Sequence, residues 1–333
     1  HIAVVCTMLH NLNFIQYIYF SFFLVSVYSV YAEKESVIID ADPGGDDAMA
    51  IIMLLASKKQ ISVEAITCVQ GNTGAYNVSV NVLKILDVMD RLDIPVYPGS
   101  PTGLVYTTAT DNYFGMDGFG DIEYYNPPDI RLLKKTHAAV ALAEKVKEKP
   151  GVITVIGLGP LTNLAIASLI NPDFFHQVKR IIILGGSLGT GGNVGPGIEF
   201  NIYADAEAAA SFFNRVPKNT PTFLVPFETI SKNEFSMSWR LEKLGKLESA
   251  KMAFLNLVER KTFFKSEWLC FDPTVAAAMI NPDIITGTMI GQPIVDTSTH
   301  RGYMNITFGS GSVKIITALN KLALQKTLIA TLK

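Results

Sequence analysis

The chain has 333 residues with 28 basic and 30 acidic side chains, and its formal net charge of −2 argues against a nucleic-acid-binding surface, which needs a basic excess. Hydrophobic residues make up 49% of the chain and charged residues 17%, which excludes a disordered protein. The 3 cysteines are too few for a disulfide framework, and a chain of this length can bury a large core.

The N-terminal segment differs in composition from the rest of the chain. Residues 1–32 contain no Asp, Glu, Lys or Arg, and residues 14–32 form an aromatic and aliphatic run. Val30 and Ala32 place small residues at the −3 and −1 positions of a signal-peptidase site. A membrane anchor is the alternative, because a run of about 19 apolar residues can barely span a bilayer. We predict that residues 1–32 are a signal peptide and that residues 33–333 are a secreted, extracellular catalytic domain without membrane contact.

The remainder of the chain alternates between strand and helix patterns. An apolar strand over 37–41 is followed by a Pro-Gly-Gly turn and by a helix over 46–57 with apolar residues at helical spacing. The further predicted elements are strands over 61–69, 95–97, 152–156, 180–184 and 222–225, helices over 78–89, 161–170 and 205–213, β structure over 283–312, and a closing helix over 317–328. Apolar strands separated by helices predict a single α/β domain with an open, mostly parallel sheet and helices on both faces.

Four carboxylates stand within residues 40–47, which read Asp-Ala-Asp-Pro-Gly-Gly-Asp-Asp, where the first strand meets the first helix. Ligands bind at this edge of an open parallel sheet. Helix capping explains one or two acidic residues, but four converging carboxylates repel one another unless a cation or a shared proton offsets their charge. Oxygen ligands without nearby His or Cys favour Ca²⁺ or Mg²⁺ over zinc. The motif therefore predicts a metal site.

Two other interpretations of this motif meet difficulties of spacing. An EF-hand beginning at Asp40 needs Glu at its twelfth position, where Ile51 stands. A Mg²⁺-dependent phosphatase of the haloacid dehalogenase type also begins with a strand and Asp-x-Asp, with the first Asp, here Asp40, as nucleophile. Its pattern has Thr or Val where this chain has Gly44. The phosphatase remains the alternative enzyme.

The acidic motif and several later stretches resemble the nucleoside hydrolase family, in particular its inosine/uridine-preferring members. The later matching stretches occur in the family's order, and they are Gly71-Asn72, Gly159-Pro160-Leu161-Thr162-Asn163, Gly192-Asn193, Glu199-Phe200-Asn201 and Asp272-Pro273-Thr274. The resemblance implies a Rossmann-related α/β fold and hydrolysis of the N-glycosidic bond of ribonucleosides to free base and ribose. It also implies a small-molecule substrate, no organic cofactor, and a homo-oligomer, either a dimer or a tetramer.

The same resemblance implies roles for individual residues. A Ca²⁺ ion is held by Asp42, Asp47, Asp272 and the backbone carbonyl of Leu158, and Asp40 supports the loop from behind. The ribose-binding residues implied are Asp46, Asn72, Asn193, Glu199 and Asn201. A Ca²⁺-bound water attacks the sugar with Asp42 as general base, through an oxocarbenium-like transition state.

The base-binding side departs from part of the family. Many pyrimidine-active or broad members carry His as a general acid just before the last metal-binding Asp, and this chain has Phe271 there. Phe114 stands before the family's loop glycine, and both phenylalanines can stack on a purine, which leaves with protonation at N7. We therefore expect a secreted purine nucleosidase. Two alternatives stay open: that both residues are ordinary core aromatics, with Cys270 as a weak acid, and that the protein binds nucleoside and metal without catalysis.

Overall fold

A nine-stranded sheet forms the centre of the computed structural model, which describes residues 34–110 and 112–333. The predicted signal peptide over 1–32 lies outside the described residues. The strands are β1 (Glu35–Ala41), β2 (Ile61–Cys68), β3 (Val96–Tyr97), β4 (Thr154–Gly157), β5 (Arg180–Leu184), β6 (Thr222–Val225), β7 (Phe235–Ser236), β8 (Glu267–Trp268), β9 (Ile285–Val295), β10 (Met304–Phe308) and β11 (Val313–Leu319). Strands β7 and β8 form a separate two-stranded sheet.

The strand order of the large sheet is β10-β9-β11-β6-β5-β4-β1-β2-β3. Every neighbouring pair from β3 to β11 is parallel, and β9 pairs antiparallel with β11 and β10. The predicted mostly parallel sheet is therefore confirmed. The order reverses at β1, whose neighbours are β2 and β4, so the carboxyl ends of β1 and β4 border the crevice where ligands bind in such sheets.

Helices cover both faces of the sheet. They are α1 (Gly45–Ala56), α2 (Ala75–Val88), α3 (Ala138–Glu148), α4 (Thr162–Ile170), α5 (Phe174–Gln177), α6 (Phe200–Ala204), α7 (Ala206–Arg215), α8 (Phe227–Ser231), α9 (Met237–Trp239), α10 (Ala250–Val258), α11 (Phe271–Ile280) and α12 (Lys321–Leu332). Val37 and Ile39 of β1 point into a core with α1, α2, α10, α11 and α12, whereas Ile38 points into a second core with α3, α4 and α7. No helix in the described ranges is long and apolar enough to cross a membrane.

The structure corrects two of the predicted elements. The closing helix expected over 317–328 begins only at Lys321, because β11 continues to Leu319 and the Asn320 side chain caps the helix by accepting from the Ala323 N–H. The helix predicted over 205–213 is α7, which extends to Arg215, and it is preceded by the short α6, which the sequence does not predict. Asp205 ends α6 and caps α7 by accepting from the Ala208 N–H. Strands β5 and β6 begin and end at the predicted residues.

A buried ion pair joins the segment after α9 to the end of α10. Arg240 donates from Nε to Glu259 Oε2 at 2.7 Å, and the two side chains are 0% and 1% exposed. The guanidinium also donates to Asn256 Oδ1 at 2.9 Å and lies against the rings of Phe263 and Trp268. This pair fixes the segment that leads from α10 to β8.

We expect Arg240→Met to lower the free energy of unfolding by about 3–5 kcal/mol, because the change leaves the Glu259 carboxylate buried without its partner. The double variant Arg240→Met/Glu259→Leu should recover much of this loss, since it leaves no unpaired charge. Urea unfolding measures both values. As a control, Lys149→Met breaks a solvent-exposed pair with Glu64 and should cost at most about 1 kcal/mol. A cost as small for Arg240→Met would contradict the prediction.

Candidate active site

The acidic turn between β1 and α1 is closed by its own carboxylate. Asp47 accepts from the Gly44 N–H at 3.1 Å through Oδ2 and from the Asp42 N–H at 3.3 Å through Oδ1, and it is fully buried. The ring of Phe114 lies directly on this turn, so that a Cβ atom on Gly44 would stand 2.5 Å from Phe114 Cδ2. Glycine is therefore required here by the close approach of the ring.

Asn72, in the loop after β2, joins two of the carboxylates. Its backbone N–H donates to Asp42 Oδ2 at 2.8 Å, and its side-chain Nδ2 donates to Asp47 Oδ2 and to the Asp42 carbonyl, each at 3.2 Å. One side chain from the neighbouring strand thus fixes the orientation of the turn that follows β1.

Three carboxylates meet at the carboxyl end of the sheet. Oxygens of Asp46, Asp47 and Asp272 lie within 4.8 Å of one another. Asp272, in the first turn of α11, is 3% exposed, and its Oδ1 has no hydrogen-bond partner among the described residues. Burial, followed by the charge of Asp47, raises the pKa of Asp272 well above its usual range, and burial raises the pKa of Asp47 to about 6. A hard divalent cation fits this set of oxygen donors, because it would offset the repulsion between the carboxylates and give Oδ1 of Asp272 a partner.

Leu158, which follows β4, and Asp40, which lies in β1, are near the same edge of the sheet, but only Leu158 lines the cavity. Leu158 follows β4 and lines the cavity described below, and its carbonyl accepts from Asn201 Nδ2 at 2.6 Å. Asp40 is fully buried and does not line that cavity; its Oδ1 accepts from Thr67 Oγ1 at 2.6 Å and from Asn163 Nδ2 at 2.9 Å. A carboxylate held there cannot attack a substrate in the cavity, which argues against the phosphatase interpretation.

A cavity of about 210 Å³ opens above the carboxylates. The expected metal-binding and substrate-binding residues that line it are Asp42, Asp46, Asp47, Asn72, Phe114, Leu158, Asn193, Glu199, Asn201, Phe271 and Asp272. The structure therefore brings together every side chain that the sequence assigned to direct contact with metal or substrate.

The side chains expected to contact ribose are held by local hydrogen bonds. Glu199 caps α6, with Oε1 accepting from the Asn201 N–H at 3.0 Å and Oε2 from the Gly186 N–H at 2.8 Å. Burial raises the pKa of Glu199 to about 7. Asn193 Oδ1 accepts from the Phe200 N–H at 2.8 Å. These contacts fix the directions of the two side chains that face the cavity from the loop after β5.

Glu228 holds the glycine-rich part of that loop, and sequence analysis missed this residue. Its carboxylate accepts from Ser187 Oγ and the Leu188 N–H, both at 2.8 Å, and from the Gly191 N–H at 2.7 Å. Burial acts to raise the pKa of Glu228, but the donors outweigh it and the pKa is lowered. The loop carrying Asn193 is thereby organised around one ionised carboxylate.

The aromatic end of the cavity contains more than the two expected rings. Phe114 is only 6% exposed because the acidic turn covers most of its ring. Phe271 is half-buried and lies 6.0 Å from Phe227, centroid to centroid. Tyr113, also half-buried, meets Phe114 edge-on at 4.7 Å and lines the cavity. Phe271 and Tyr113 therefore present more accessible ring surface than Phe114 does.

Several residues that line the cavity were not assigned a role from the sequence. They are Tyr113, Leu184, Val194, Phe200, Lys265 and Leu269. Tyr113 is adjacent to Phe114 and could have been found from that position, whereas Lys265 lies in a connection whose path depends on tertiary packing. The alternative acid Cys270 does not line the cavity. It is 2% exposed, so its thiol cannot reach a base bound in the cavity, and burial raises the pKa of the thiol, which makes it a weaker acid.

Comparisons with known proteins identify the family of this chain. The family model described as inosine-uridine preferring nucleoside hydrolase matches residues 37–326. Uridine nucleosidase 1 of Arabidopsis thaliana is 32% identical over 295 residues, which cover 82% of this chain and 85% of that relative. The solved structure of the plant nucleoside hydrolase PpNRh1 superimposes with a TM-score of 0.82 at 31% identity, covering 90% of this chain and 99% of that one. An inosine-guanosine nucleoside hydrolase superimposes with a TM-score of 0.80 at 27% identity, covering 89% and 98%.

The fold and the site define a glycosyl hydrolase with a carboxylate-lined cavity at the carboxyl ends of a parallel sheet. The chain belongs to the nucleoside hydrolase family, whose members hydrolyse the N-glycosidic bond of ribonucleosides. The resemblance noted in the sequence is thereby confirmed.

The carboxylate cluster generates a prediction about stability. With chelator present, Asp272→Asn should raise the Tm, because it removes one charge from the carboxylate cluster. The expected rise is about 2–4 °C for each kcal/mol of repulsion that is relieved. A divalent cation at about 100 times its dissociation constant should stabilise the unmodified chain by about 2.7 kcal/mol, and the variant should lose most of this gain. Thermal unfolding with Ca²⁺, with Mg²⁺ and with chelator measures both effects.

Asp205→Asn is the matched control, because Asp205 is a buried helix-capping residue outside the cluster. This variant should have a lower Tm and keep the full cation-dependent gain. An unmodified chain with the same Tm in all three conditions would show that the cluster does not bind a divalent cation.

Proposed function

We propose that this nucleoside hydrolase is a Ca²⁺-dependent enzyme that prefers purine ribonucleosides. The observation that carries the proposal is the lining of its cavity, which combines a carboxylate cluster with accessible aromatic rings. A ribonucleoside has two parts that match this lining, a hydroxylated sugar and a flat apolar base.

The residues at the carboxylate end fit the metal and the sugar. Following the family resemblance, we assign the ion to Asp42, Asp47, Asp272 and the Leu158 carbonyl, and the ribose hydroxyls to Asp46, Asn72, Asn193, Glu199 and Asn201. Asp46 lies beside two of these ligands, since its carboxylate clusters with those of Asp47 and Asp272. When bound, a calcium ion supplies Lewis-acid polarisation of water and orients the hydroxyls. The orphaned Oδ1 of Asp272 supports the assignment of a cation at this end.

The protein's own groups then carry the remaining chemistry. Asp42 takes a proton from the attacking water as general base. The carboxylates favour the positive charge that develops on the ribosyl centre in an oxocarbenium-like transition state. Binding of several sugar hydroxyls orients C1′ toward the water, so that binding energy contributes to the rate.

The aromatic end favours a purine because stacking grows with the area of the base. Phe271 and Tyr113 supply accessible rings, and Phe114 completes the wall. Uridine is the second candidate substrate, since a relative with 32% identity is named uridine nucleosidase 1.

The test is release of free base from inosine, guanosine, adenosine, uridine and cytidine by the purified protein. We expect the three purine nucleosides to have the highest kcat/KM values, and chelator or Asp42→Ala to lower the rates by about 10²-fold or more, as loss of a general base does. Phe271→Ala should raise KM for inosine more than it lowers kcat, because stacking acts on the bound base. Faster cleavage of uridine would overturn the purine preference, and binding without base release would indicate a nonenzymatic protein.

We also propose secretion, on the composition of residues 1–32. Expression in a eukaryotic secretory host should give a protein in the medium whose N-terminal sequence begins at Glu33. A protein retained in the membrane fraction with residues 1–32 intact would instead support the anchor.

A further inference from the structure

The cavity contains a single positive side chain. Among the described residues that line it, five carry carboxylates, and Lys265 alone is cationic. The five are Asp42, Asp46, Asp47, Glu199 and Asp272. Lys265 is exposed to solvent, and its ammonium is the one charged group among these lining residues that can stabilise a developing negative charge.

Lys265 is associated with the aromatic end of the cavity. Its Nζ lies 4.1 Å from the centroid of the Tyr113 ring, which in turn meets the ring of Phe114 edge-on. A cation over an aromatic face is attracted by the ring quadrupole, so Tyr113 helps to hold the ammonium beside the aromatic wall. The charge therefore lies beside one of the rings that we propose stack on the base.

The backbone around Lys265 is fixed by neighbouring elements. The Lys265 N–H donates to the Thr262 carbonyl at 3.2 Å, and the Ser266 carbonyl accepts from the Met237 N–H at 2.9 Å. Strand β8 begins at the next residue, and its Trp268 packs against the buried guanidinium of Arg240. The ammonium is thus carried by a segment anchored on both sides.

We propose that Lys265 is a catalytic residue that stabilises the leaving base, an inference that rests on the proposed function. When the C1′–N bond breaks, its electron pair goes to the base nitrogen, and the Lys265 ammonium donates a hydrogen bond to an acceptor on the base. Water forms the new bond to C1′ and gives one proton to Asp42. The base gains one proton from solvent, so that the products are ribose and neutral base and the ammonium is unchanged.

Lys265 can donate a hydrogen bond to the leaving base, which neither Phe271 nor Cys270 can do. Phe271 has no proton to donate, and Cys270 is buried outside the cavity. Purines and uracil both carry ring-nitrogen or carbonyl acceptors, so the role of Lys265 holds whichever base is preferred.

The experiment compares two leaving groups in Lys265→Met, Lys265→Arg and the unmodified enzyme, all with Ca²⁺. Inosine and uridine release poor leaving groups, whereas p-nitrophenyl β-D-ribofuranoside releases a phenolate that needs no assistance. We expect Lys265→Met to lower kcat for the better of the two nucleosides by about 10²-fold, the low end of the range for loss of one hydrogen-bond donor to a developing anion. Its kcat for the p-nitrophenyl riboside should stay within about threefold of the unmodified enzyme, and Lys265→Arg should recover most of the nucleoside activity.

Lys246→Met is the matched control, since Lys246 is an exposed lysine that does not line the cavity. Equal losses on nucleoside and p-nitrophenyl riboside would assign Lys265 a structural role and overturn the proposal, as would no loss on either. Hydrolysis of neither substrate class by the unmodified enzyme would instead overturn the proposed function.

Discussion

Repulsion among buried carboxylates is the constraint on which the site depends. Asp42, Asp46 and Asp47 follow one strand within a few residues, and Asp272 is brought to them by α11. Burial raises the pKa values of all four, and the neighbouring charges of Asp46 and Asp47 add to this effect at Asp272. The turn offsets part of the cost with backbone N–H donors and with Asn72. Oδ1 of Asp272 has no hydrogen-bond partner within residues 34–110 and 112–333, so the donors described there do not complete the set.

The same turn lies against the buried ion pair of Arg240 and Glu259. A Cβ atom on Gly45 would lie 2.7 Å from Glu259 Cγ, so the acidic turn is pressed against the residue that pairs with Arg240. The charge of Glu259 adds to that of Asp47 in raising the pKa of Asp46, and the Arg240 guanidinium limits this effect by neutralising its partner. The buried pair therefore serves both the stability of the α10–β8 wall and the electrostatics of the carboxylate end.

Sequence analysis succeeded where the chemistry is contiguous or the hydrophobic pattern is strong. The acidic motif places three cavity carboxylates in six residues, 42–47, and the apolar strands predicted the parallel sheet. It failed at β11, because Thr317-Ala318-Leu319 at the end of the strand reads equally well as the start of the following helix. Glu228 and Lys265 were also missed. Each lies far in the chain from the groups it serves, so only tertiary packing shows what the carboxylate or the ammonium contacts.

The arrangement of charge matches the polarity of the reaction. Breaking the C1′–N bond makes the sugar more positive and the base more negative, and the cavity lining supplies both a carboxylate cluster and an ammonium, Lys265, that lies against Tyr113. A histidine in place of Phe271 would act by proton transfer and would titrate near neutral pH. An ammonium acts instead as a fixed point charge that needs only a nearby acceptor on the base. Release of the base therefore depends less on the position of its acceptor atom, and one site can release bases of different shape.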